Sequence, residues 1–418
     1  MTKKYKILTI SDSPMAPSGV GTQTRYMIDS LLKTGEFSFT CLAGAIKHPD
    51  YSIRTVDPWG EDFKIIPVDG YGDHSTIRRL IRDERPDILW FMTDPRFYQW
   101  LWQIENEIRQ NVPMVYYHVW DNYPYPKFNK VYYDSNDLVC TISKVTDDIV
   151  RTVSPDVDCK YIPHAVDTDI FRRKTDETNR EVRNKVVSSG DSKLVFFWNN
   201  RNARRKQSGT LIFWFKEFLD KVGHDKATLL MHTEPKDPNG QDLVYIMKEL
   251  NLLDGQIMLS TQKMPQEDLA NIYSAVDCTI NISDAEGFGL STLESLACET
   301  PIIATMTGGL QEQVTDGTNW FGEGIEPSSK AVIGSQEVPY IYEDRISKED
   351  FLQAIEKIYN MTPDERSELG ARGREHVIKN YSFSKYCSTW YDTMKTVIET
   401  KGSWENRKGY KSWSMTEL

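Results

Sequence analysis

Two glutamates bracket a glycine-rich turn in the second half of the chain. Glu286 and Glu294 are separated by seven residues, and the turn Gly287-Phe288-Gly289-Leu290 follows the first of them. Glycines let a backbone approach a ligand closely, and the helix predicted to begin at Ser291 directs free N–H groups toward an anion. Carboxylates accept hydrogen bonds from hydroxyl groups. The segment is therefore typical of a site for a ligand that carries both hydroxyls and phosphate, as a sugar nucleotide does.

The two glutamates differ in how well a purely structural role explains them. The run from Ser291 to Glu294 predicts a capping box, in which the glutamate returns a hydrogen bond to the helix start. Helix capping and a contact to a ribose therefore both stay open for Glu294. No helix requires Glu286, which precedes the glycines, so hydroxyl binding is the stronger hypothesis for that residue.

A cluster of cations follows another apolar run, at 194–199. Within six residues it contains four basic side chains, Arg201, Arg204, Arg205 and Lys206. Negative charge builds on a leaving pyrophosphate as its bond breaks, and fixed cations stabilise that charge. The alternative is a solvated basic loop without a ligand.

The first loop of the chain, 11–22, carries Gly19 and Gly21 ahead of a predicted helix. An anion can bind the free N–H groups there. The loop does not match a dinucleotide fingerprint, because Thr24 stands where a third glycine or alanine is required. A plain strand-to-helix turn is the alternative.

His118 ends the apolar run at 114–119, and aromatic residues crowd the segment 116–133. Aromatic faces suit sugars and nucleobases. A lone histidine after an apolar strand is also typical of a packed core, so both interpretations stay open.

These residues lie on a chain in which strand-like and helical patterns alternate. Helical stretches such as Thr22–Thr34 and Gln266–Ala275 separate ten strand-like runs, five in each half. The runs are 6–11, 39–44, 88–93, 114–119 and 138–143, then 194–199, 227–232, 257–261, 278–283 and 301–306. This α/β alternation predicts two doubly wound, Rossmann-like domains with parallel sheets. Ligands bind at the carboxyl ends of such strands, so the loops above are expected at a cleft between the domains.

The domain boundary is predicted within 165–192, which is polar and ends in Ser-Ser-Gly-Asp at 188–191, a turn signal. We assign 1–170 to the first domain and 190–385 to the second. Helices are predicted around 347–359 and 363–379. The segment 386–418 follows, and its end mixes basic and aromatic residues.

Composition narrows the function classes. The chain has 418 residues, 39% of them hydrophobic and 27% charged, as in a globular protein with two cores. No apolar run of about 18 residues predicts a membrane span, and the N-terminal apolar run is too short for a signal peptide. The net charge of −11 argues against bulk binding of nucleic acid or anionic membranes, without excluding a local basic groove.

Six cysteines are scattered along the chain without a CxxC pair or zinc-type spacing. Scattered thiols in a large chain indicate a reducing compartment, so a cytoplasmic location is expected.

With these residues in view, the chain resembles the GT-B glycosyltransferases of family 4, a large retaining family, over nearly its whole length. The most specific part is the spacing of Glu286 and Glu294 around the Gly-Phe-Gly-Leu turn. It is followed by Pro301-Ile-Ile-Ala and by the Gly-Gly segment 307–317.

The resemblance implies a role for each site residue. Glu286 would touch the donor sugar, the turn backbone would touch sugar and phosphate, and Glu294 would hold the ribose. Arg201 and Lys206 match the family's pair on the diphosphate. The residues expected to bind donor are Ser18, Gly19, Met264, Phe288, Gly289, Leu290 and Glu294, with the base against the backbone near Met264. His118 matches a histidine near the reacting sugar. Ser18 replaces a glycine of the family pattern, and His164-Ala165 stands where Asn-Gly is usual.

The implied activity is retaining transfer of a sugar from a nucleotide-diphosphate sugar to a hydroxyl. The expected catalytic residues are His118, Glu286, Arg201 and Lys206, with no metal and no other cofactor. The resemblance also implies that a helix within 386–418 crosses back to the first domain. That crossing would account for the aromatic tail, for which an acceptor or partner contact is the alternative.

The acceptor stays open: a sugar, a small molecule, a protein or a hydroxymethylated DNA base. The donor base and sugar and the oligomeric state are open as well. Rival hypotheses are a sugar-nucleotide epimerase or phosphorylase on the same scaffold, a catalytically silent sugar-nucleotide-binding protein, and a nicotinamide oxidoreductase, which the missing third glycine disfavours.

Overall fold

The computed structural model describes residues 4–187 and 193–413. Over these residues the strands are β1 (Tyr5–Asp12), β2 (Phe37–Gly44), β3 (Arg54–Val56), β4 (Gly60–Pro67), β5 (Ile88–Thr93), β6 (Met114–His118), β7 (Leu138–Thr141), β8 (Cys159–Tyr161), β9 (Leu194–Asn199), β10 (Ala227–His232), β11 (Ile257–Ser260), β12 (Cys278–Asn281), β13 (Ile302–Thr305), β14 (Gly322–Ile325), β15 (Ser329–Ile333) and β16 (Ile341–Arg345).

The α-helices lie between and after these strands. They are α1 (Gly19–Leu32), α2 (His74–Glu84), α3 (Gln99–Trp102), α4 (Glu105–Arg109), α5 (Lys130–Asp134), α6 (Lys144–Val153), α7 (Asp176–Val186), α8 (Ser208–Val222), α9 (Leu243–Glu249), α10 (Gln266–Ala275), α11 (Leu290–Ala297), α12 (Gln311–Val314), α13 (Lys348–Asn360), α14 (Pro363–Tyr381) and α15 (Phe383–Lys401). None of the described helices is both long enough and apolar enough to cross a bilayer.

The first sheet has eight strands in the order β3-β4-β2-β1-β5-β6-β7-β8, and only the edge strand β3 runs antiparallel to its neighbour. Its central strands are buried along nearly their whole length, as expected for a parallel sheet covered by helices on both faces. The chain order reverses between β1 and β5, which creates a crevice at their carboxyl ends.

The second sheet is parallel throughout, with six strands in the order β11-β10-β9-β12-β13-β14. Its chain order reverses between β9 and β12. The ten strands predicted from the sequence are all present, five in each sheet, and the doubly wound α/β architecture is confirmed. A separate antiparallel pair, β15–β16, was not predicted.

A continuous apolar core joins the two sheets beneath the crevices. It includes Ile162 and Phe171 of the connecting segment, Phe288 of the glycine turn and Trp390 of α15. The connection is also held by Gln23 of α1, whose side-chain amide donates to the Ala165 carbonyl at 2.8 Å and accepts from the Ala165 N–H at 3.0 Å.

Helix α15 packs against α1 of the first domain. Its Trp390 is buried with its ring centroid 5.0 Å from that of Tyr117. Beyond α15, the Trp404 indole donates to the Pro86 carbonyl at 2.9 Å, and the Arg407 guanidinium binds Asp137. The aromatic tail, as far as residue 413, thus packs on the first domain.

The polar segment predicted as the domain boundary is not simply an extended linker, because part of it is helical. Residues Asp176–Val186 form α7, which packs against α10 and is anchored where Arg183 binds Asp277 at 2.8 Å. The turn predicted at 188–191 lies outside the described residues.

Candidate functional site

The three loops that carry the predicted site residues lie close together where the crevices of the two sheets face each other. The loop after β1 leads into α1, the basic loop follows β9, and the glycine turn follows β12. All three follow strands that flank a point of order reversal, where open parallel sheets bind ligands.

Ser18 and Gly19 form the first-domain part of this meeting point. The Ser18 hydroxyl caps α1 by accepting from the Gly21 N–H at 3.0 Å, and it donates to Asp12 at 2.6 Å. A Cβ placed on Gly19 would stand 3.1 Å from the Leu290 side chain across the cleft. The glycine therefore lets the N-terminus of α1 come close to the glycine turn.

The glycine turn begins α11 in a way that the sequence did not predict. Gly289 adopts a left-handed conformation, with φ 91°, and is itself the N-cap, with no side-chain capping bond. The predicted capping box between Ser291 and Glu294 is therefore wrong. The physical reason is that a left-handed glycine starts the helix at Leu290, which puts Ser291 inside it. Glu294 therefore makes no capping hydrogen bond to the start of α11.

The following Gly-Gly turn supports the first from behind. The Gly309 N–H donates to the Glu286 carbonyl at 3.0 Å, and a Cβ on Gly308 would clash with that same carbonyl oxygen. Phe288 is buried, with its ring 5.2 Å from the ring of His164. Its side chain therefore anchors the turn, as does its carbonyl, which accepts from the Gln313 side-chain amide at 2.7 Å, and its predicted backbone contact to a ligand stays a prediction.

Lys206 and Glu286 form an ion pair at the centre of the cleft. Their side chains are only 9% and 12% exposed, so solvent screens the pair weakly. Arg205 approaches the same carboxylate at 4.0 Å. Burial lowers the pKa of Lys206, the Arg205 guanidinium lowers it further, and Asp121 offsets part of the effect. An anion bound here would favour the charged form of the lysine and so raise its pKa again.

Arg201 is placed differently from Lys206, although the sequence pairs them. Its side chain is 65% exposed and donates to both oxygens of Asp237, at 2.6 and 3.2 Å. Arg201 must leave this partner to reach a ligand in the cleft. Its predicted diphosphate contact therefore stays a prediction.

Glu294 lies beside Tyr273 and near Tyr26 of the first domain. Burial raises the pKa of Glu294 to about 7, against a smaller opposing effect of the Tyr273 hydroxyl. Met264 lies partly buried in the loop before α10, two residues from Gln266, whose amide reaches the Tyr26 hydroxyl at 3.1 Å. Glu294 and the loop that carries Met264 thus lie near Tyr26 of α1, and their contacts to a ribose and a base stay predictions.

His118 lies in the core of the first domain. It is fully buried, with Nδ1 3.0 Å from the Tyr116 hydroxyl and Nε2 2.8 Å from the Tyr133 hydroxyl. Burial lowers the pKa of His118 to about 3. Both ring nitrogens are engaged, so the packed-core interpretation describes the ring as placed, and the catalytic role stays a prediction.

Asp121, three residues beyond His118, was missed by the sequence interpretation. It lies where the loop after β6 meets the second domain, on a small cavity lined also by Ala285, Thr307 and Tyr342. Burial raises the pKa of Asp121, while Arg205 and Lys206 lower it. An acidic residue just beyond the carboxyl end of a buried strand is a signal that could have marked it.

The β15–β16 hairpin is a second missed element. Glu343 is buried and accepts from Arg204 at 2.6 Å, and Arg345 binds Asp284 at 3.1 Å, so the hairpin is held to the donor loops. Burial raises the pKa of Asp284 to about 6. Two β-prone runs around Gly334 and Pro339 are the sequence signal for this hairpin.

The hairpin also reaches the first domain. The Asn122 amide donates to the Tyr342 carbonyl at 2.8 Å, and the Tyr342 N–H donates to the Tyr123 carbonyl. Val338, near its tip, is buried in the first-domain core. The hairpin therefore bridges the cleft beside Asp121. Among the described residues, no three His, Cys, Asp or Glu side chains are grouped to hold a metal ion.

Known proteins resemble this chain in sequence. Residues 179–376 match the family model of glycosyl transferases group 1. The D-inositol 3-phosphate glycosyltransferase of Corynebacterium jeikeium is 28% identical over 178 residues, 41% of this chain and 41% of that protein. The N-acetyl-alpha-D-glucosaminyl L-malate synthase of Bacillus anthracis is 22% identical over 235 residues, 56% of this chain and 58% of that protein. The chain thus spans about half the length of these curated relatives.

Solved structures share the fold over most of the chain. Sucrose-phosphate synthase of Thermosynechococcus elongatus has a TM-score of 0.75 at 18% identity, covering 95% of this chain and 100% of that one. Anabaena HepE in complex with UDP-glucose has a TM-score of 0.67 at 13% identity, covering 94% and 99%. The two-domain fold around the cleft is the GT-B fold, and residues 179–376, within its second domain, match the family model of glycosyl transferases group 1.

Proposed function

We propose that this protein transfers a sugar from a nucleotide-diphosphate sugar to a hydroxyl acceptor, with retention at the anomeric carbon and without a metal ion. The observation that carries the proposal is the buried pair of Lys206 and Glu286 beneath the glycine turn. A cation and a carboxylate at one point offer complementary partners to a phosphate and to sugar hydroxyls. The family match of residues 179–376 supports the same activity.

Each charged residue has a definite task in this proposal. Lys206 stabilises the diphosphate as the glycosidic bond breaks, and Arg201 joins it after exchanging Asp237 for phosphate. The N-termini of α1 and α11 add partial positive charge at Gly19 and Leu290. Glu286, freed from its ion pair, accepts hydrogen bonds from the donor sugar.

The reaction needs no further group in this proposal. The anomeric carbon loses its phosphate oxygen and gains the acceptor oxygen on the same face. The acceptor proton passes to the leaving diphosphate. Cations of the basic loop take the place that a divalent metal would otherwise hold.

The donor class is supported by the solved GT-B structure of Anabaena HepE, which contains UDP-glucose. The experiment is a thermal-shift panel of UDP-, GDP-, ADP- and dTDP-sugars with the wild-type protein. A ligand of the folded state at a hundredfold excess over its Kd stabilises by about 2.7 kcal/mol. We expect one nucleotide class to raise the Tm and the others to leave it near its starting value.

The matched control is Lys206→Ala, which should lose the shift while remaining folded. The absence of any shift across the panel would contradict donor binding. With the donor found, product formation should persist in EDTA, and the anomeric coupling constant of the product should equal that of the donor. Loss of activity on chelation, or an inverted coupling, would remove the metal-independent or the retaining part of the proposal.

We further propose a cytoplasmic location. All six cysteines are free thiols, and four of them are buried, which suits a compartment that keeps thiols reduced. Fractionation of the source cells with detection of the native protein tests this proposal.

A further inference from the structure

Three aspartates lie at the carboxyl edge of adjacent strands in the first domain, and they differ in the hydrogen bonds that their carboxylates already make. Asp12 ends β1 and accepts from the Ser18 and Tyr71 hydroxyls at 2.6 and 2.7 Å. Asp94 follows β5 and accepts from both arms of the Arg96 guanidinium, at 2.9 and 3.0 Å. Two of the three carboxylates are therefore already occupied by the protein.

Asp121 is the third, and its surroundings place it in the cleft. A Cβ on Gly287 would stand 3.9 Å from its Oδ2, and a Cβ on Gly308 would stand 3.6 Å from its own Cβ. The carboxylate thus lies against the glycines that shape the donor turn. Across the cleft, the positive charges of Arg205 and Lys206 lower the pKa of Asp121.

The cavity beside Asp121 is polar and is lined by residues of both domains. Asn122 and Tyr123 contribute from the first domain, and Asp284, Tyr342 and Asp344 contribute from the second. Carboxylates outnumber cations on this lining. Arg96, a first-domain cation that interacts with Asp121, is held by Asp94. A phosphate here would face the carboxylates of Asp121 and Asp344, and the second-domain cations around the cavity are already paired with carboxylates.

We propose that Asp121 binds a hydroxyl of the acceptor next to the reacting one, and that the acceptor is a neutral polyhydroxyl compound at this position rather than a phosphorylated one. This inference rests on the function proposed above. The reacting hydroxyl gives its proton to the leaving diphosphate, so the Asp121 carboxylate is unchanged at the end of the cycle. Its part is to fix the orientation of the acceptor against the donor sugar.

Charge balance is the competing explanation for Asp121. In that case the carboxylate would only compensate for Arg205 and Lys206, and its removal would change how strongly the cleft attracts the donor diphosphate. The two roles therefore predict different measurements. Acceptor binding alters acceptor KM and kcat/KM at constant donor Kd, whereas charge balance alters donor Kd.

The first experiment compares acceptors in matched pairs, using the wild-type protein and the donor found in the nucleotide panel. The pairs are glucose and glucose 6-phosphate, fructose and fructose 6-phosphate, and inositol and inositol 1-phosphate. We expect kcat/KM for the best neutral member to exceed that for its phosphorylated partner by about tenfold or more, which is the effect of about one charge-assisted contact. A preference for phosphorylated members, or no transfer to any neutral member by protein that binds donor, overturns the inference.

The second experiment is Asp121→Asn, with Asp148→Asn on the exposed face of α6 as the matched control. We expect acceptor kcat/KM to fall about 10- to 100-fold in Asp121→Asn, as for loss of a hydrogen bond to a charged group. Donor Kd and Tm should stay at wild-type values. A changed donor Kd with unchanged acceptor KM overturns the assignment in favour of charge balance.

Asp121→Glu provides a second variant if the asparagine form does not fold. It keeps the charge and moves it by one methylene, so acceptor kcat/KM should fall while donor Kd is retained; equal kinetics would overturn the assignment. Failure of the wild-type protein to bind any nucleotide sugar is a separate outcome, because it rejects the proposed function itself.

Discussion

The two domains hold their predicted site residues in opposite ways. On the second-domain face, cations are paired with carboxylates that a ligand can replace, as with Lys206 and Glu286 or Arg201 and Asp237. In the first domain, His118 lies in the core rather than on the surface of the cleft, with both ring nitrogens bound to tyrosine hydroxyls. A ligand can therefore exchange partners with the second-domain pairs, whereas His118 is fixed by its own domain.

Two buried site residues, one in each domain, also have opposite responses to pH. Burial lowers the pKa of His118 to about 3 and raises the pKa of Glu294 to about 7. Both pKa shifts favour the neutral form, so burial of His118 makes the fold less stable as the pH falls, and burial of Glu294 makes it less stable as the pH rises. A buried carboxylate of raised pKa in a cleft is a candidate functional group, and the contact of Glu294 with a ribose stays a prediction.

The largest expected effect separates the two cations of the donor face. Lys206→Ala should lower turnover about 10²- to 10³-fold, as for removal of one preorganised donor to a developing charge. Arg201→Ala should lower it only about tenfold, because an exposed charge acts through water of high dielectric constant. The measurement is kcat with the identified donor and acceptor, together with donor Kd.

Lys221→Ala is the control for this pair, since Lys221 lies on the far helix α8 and binds Glu356 at 2.6 Å. It should leave turnover unchanged. Equal losses for Lys206→Ala and Arg201→Ala would mean that the exposed arginine moves fully into the cleft on binding. Wild-type turnover in Lys206→Ala would remove the lysine from the mechanism.

The next effect tests whether His118 is a fixed residue of the first-domain core. His118→Phe keeps a ring of similar size but removes the bonds to Tyr116 and Tyr133, so we expect a loss of about 1–3 kcal/mol in the free energy of unfolding at pH 7. Donor Kd should not change. Denaturant unfolding and calorimetric titration with the donor measure the two quantities.

Stability should also depend on pH through His118, and the direction of that dependence follows from its lowered pKa. The unfolded histidine, with a pKa of about 6.5, takes up a proton that the folded one refuses until about pH 3, so stability falls as the pH drops through this interval. His118→Phe should make that fall shallower, whereas His224→Phe at the exposed end of α8 should not. A large loss of turnover at unchanged stability would instead support the catalytic role.

Much of the fold was predictable from the sequence because buried parallel strands are continuous apolar runs. Helix α10 was predicted with its observed bounds, Gln266–Ala275. Four sheet strands were missed: β3 and β8 have only three residues, and β4 and β14 begin with glycine and acidic residues rather than with an apolar run. The β15–β16 hairpin was missed because it packs on the cleft rather than on a sheet.

The parts of the site that local backbone conformation determines were predictable from the sequence. The parts that depend on contacts between residues distant in sequence were not. The glycine turn is encoded locally, although Gly289 overrode the capping rule that pointed to Ser291. Nothing in the sequence distinguishes Arg201 from Lys206, because their difference arises from Asp237, thirty-six residues away. The position of Asp121 just beyond β6 is readable from the sequence, but its contacts with the second-domain glycines are not.

The smallest expected effect returns to the donor face and to Glu294. The unfolded glutamate loses its proton at about pH 4.3, whereas the folded one keeps it to about pH 7, so wild-type stability should fall as the pH rises through this interval. Glu294→Gln removes this slope and should make the free protein more stable by about 1–3 kcal/mol at pH 8.

The same substitution should weaken donor binding, which makes it a test of function as well as of stability. If the ionised carboxylate holds the ribose hydroxyls, wild-type donor affinity rises as the pH passes 7, and Glu294→Gln loses that rise and binds about tenfold more weakly at pH 8. Glu368→Gln, at an exposed position of α14, is the control and should change neither slope. A variant that gains stability yet binds donor as wild type does would show that Glu294 is buried for packing alone, and the exchangeable character of this face would then rest on Lys206 and Glu286.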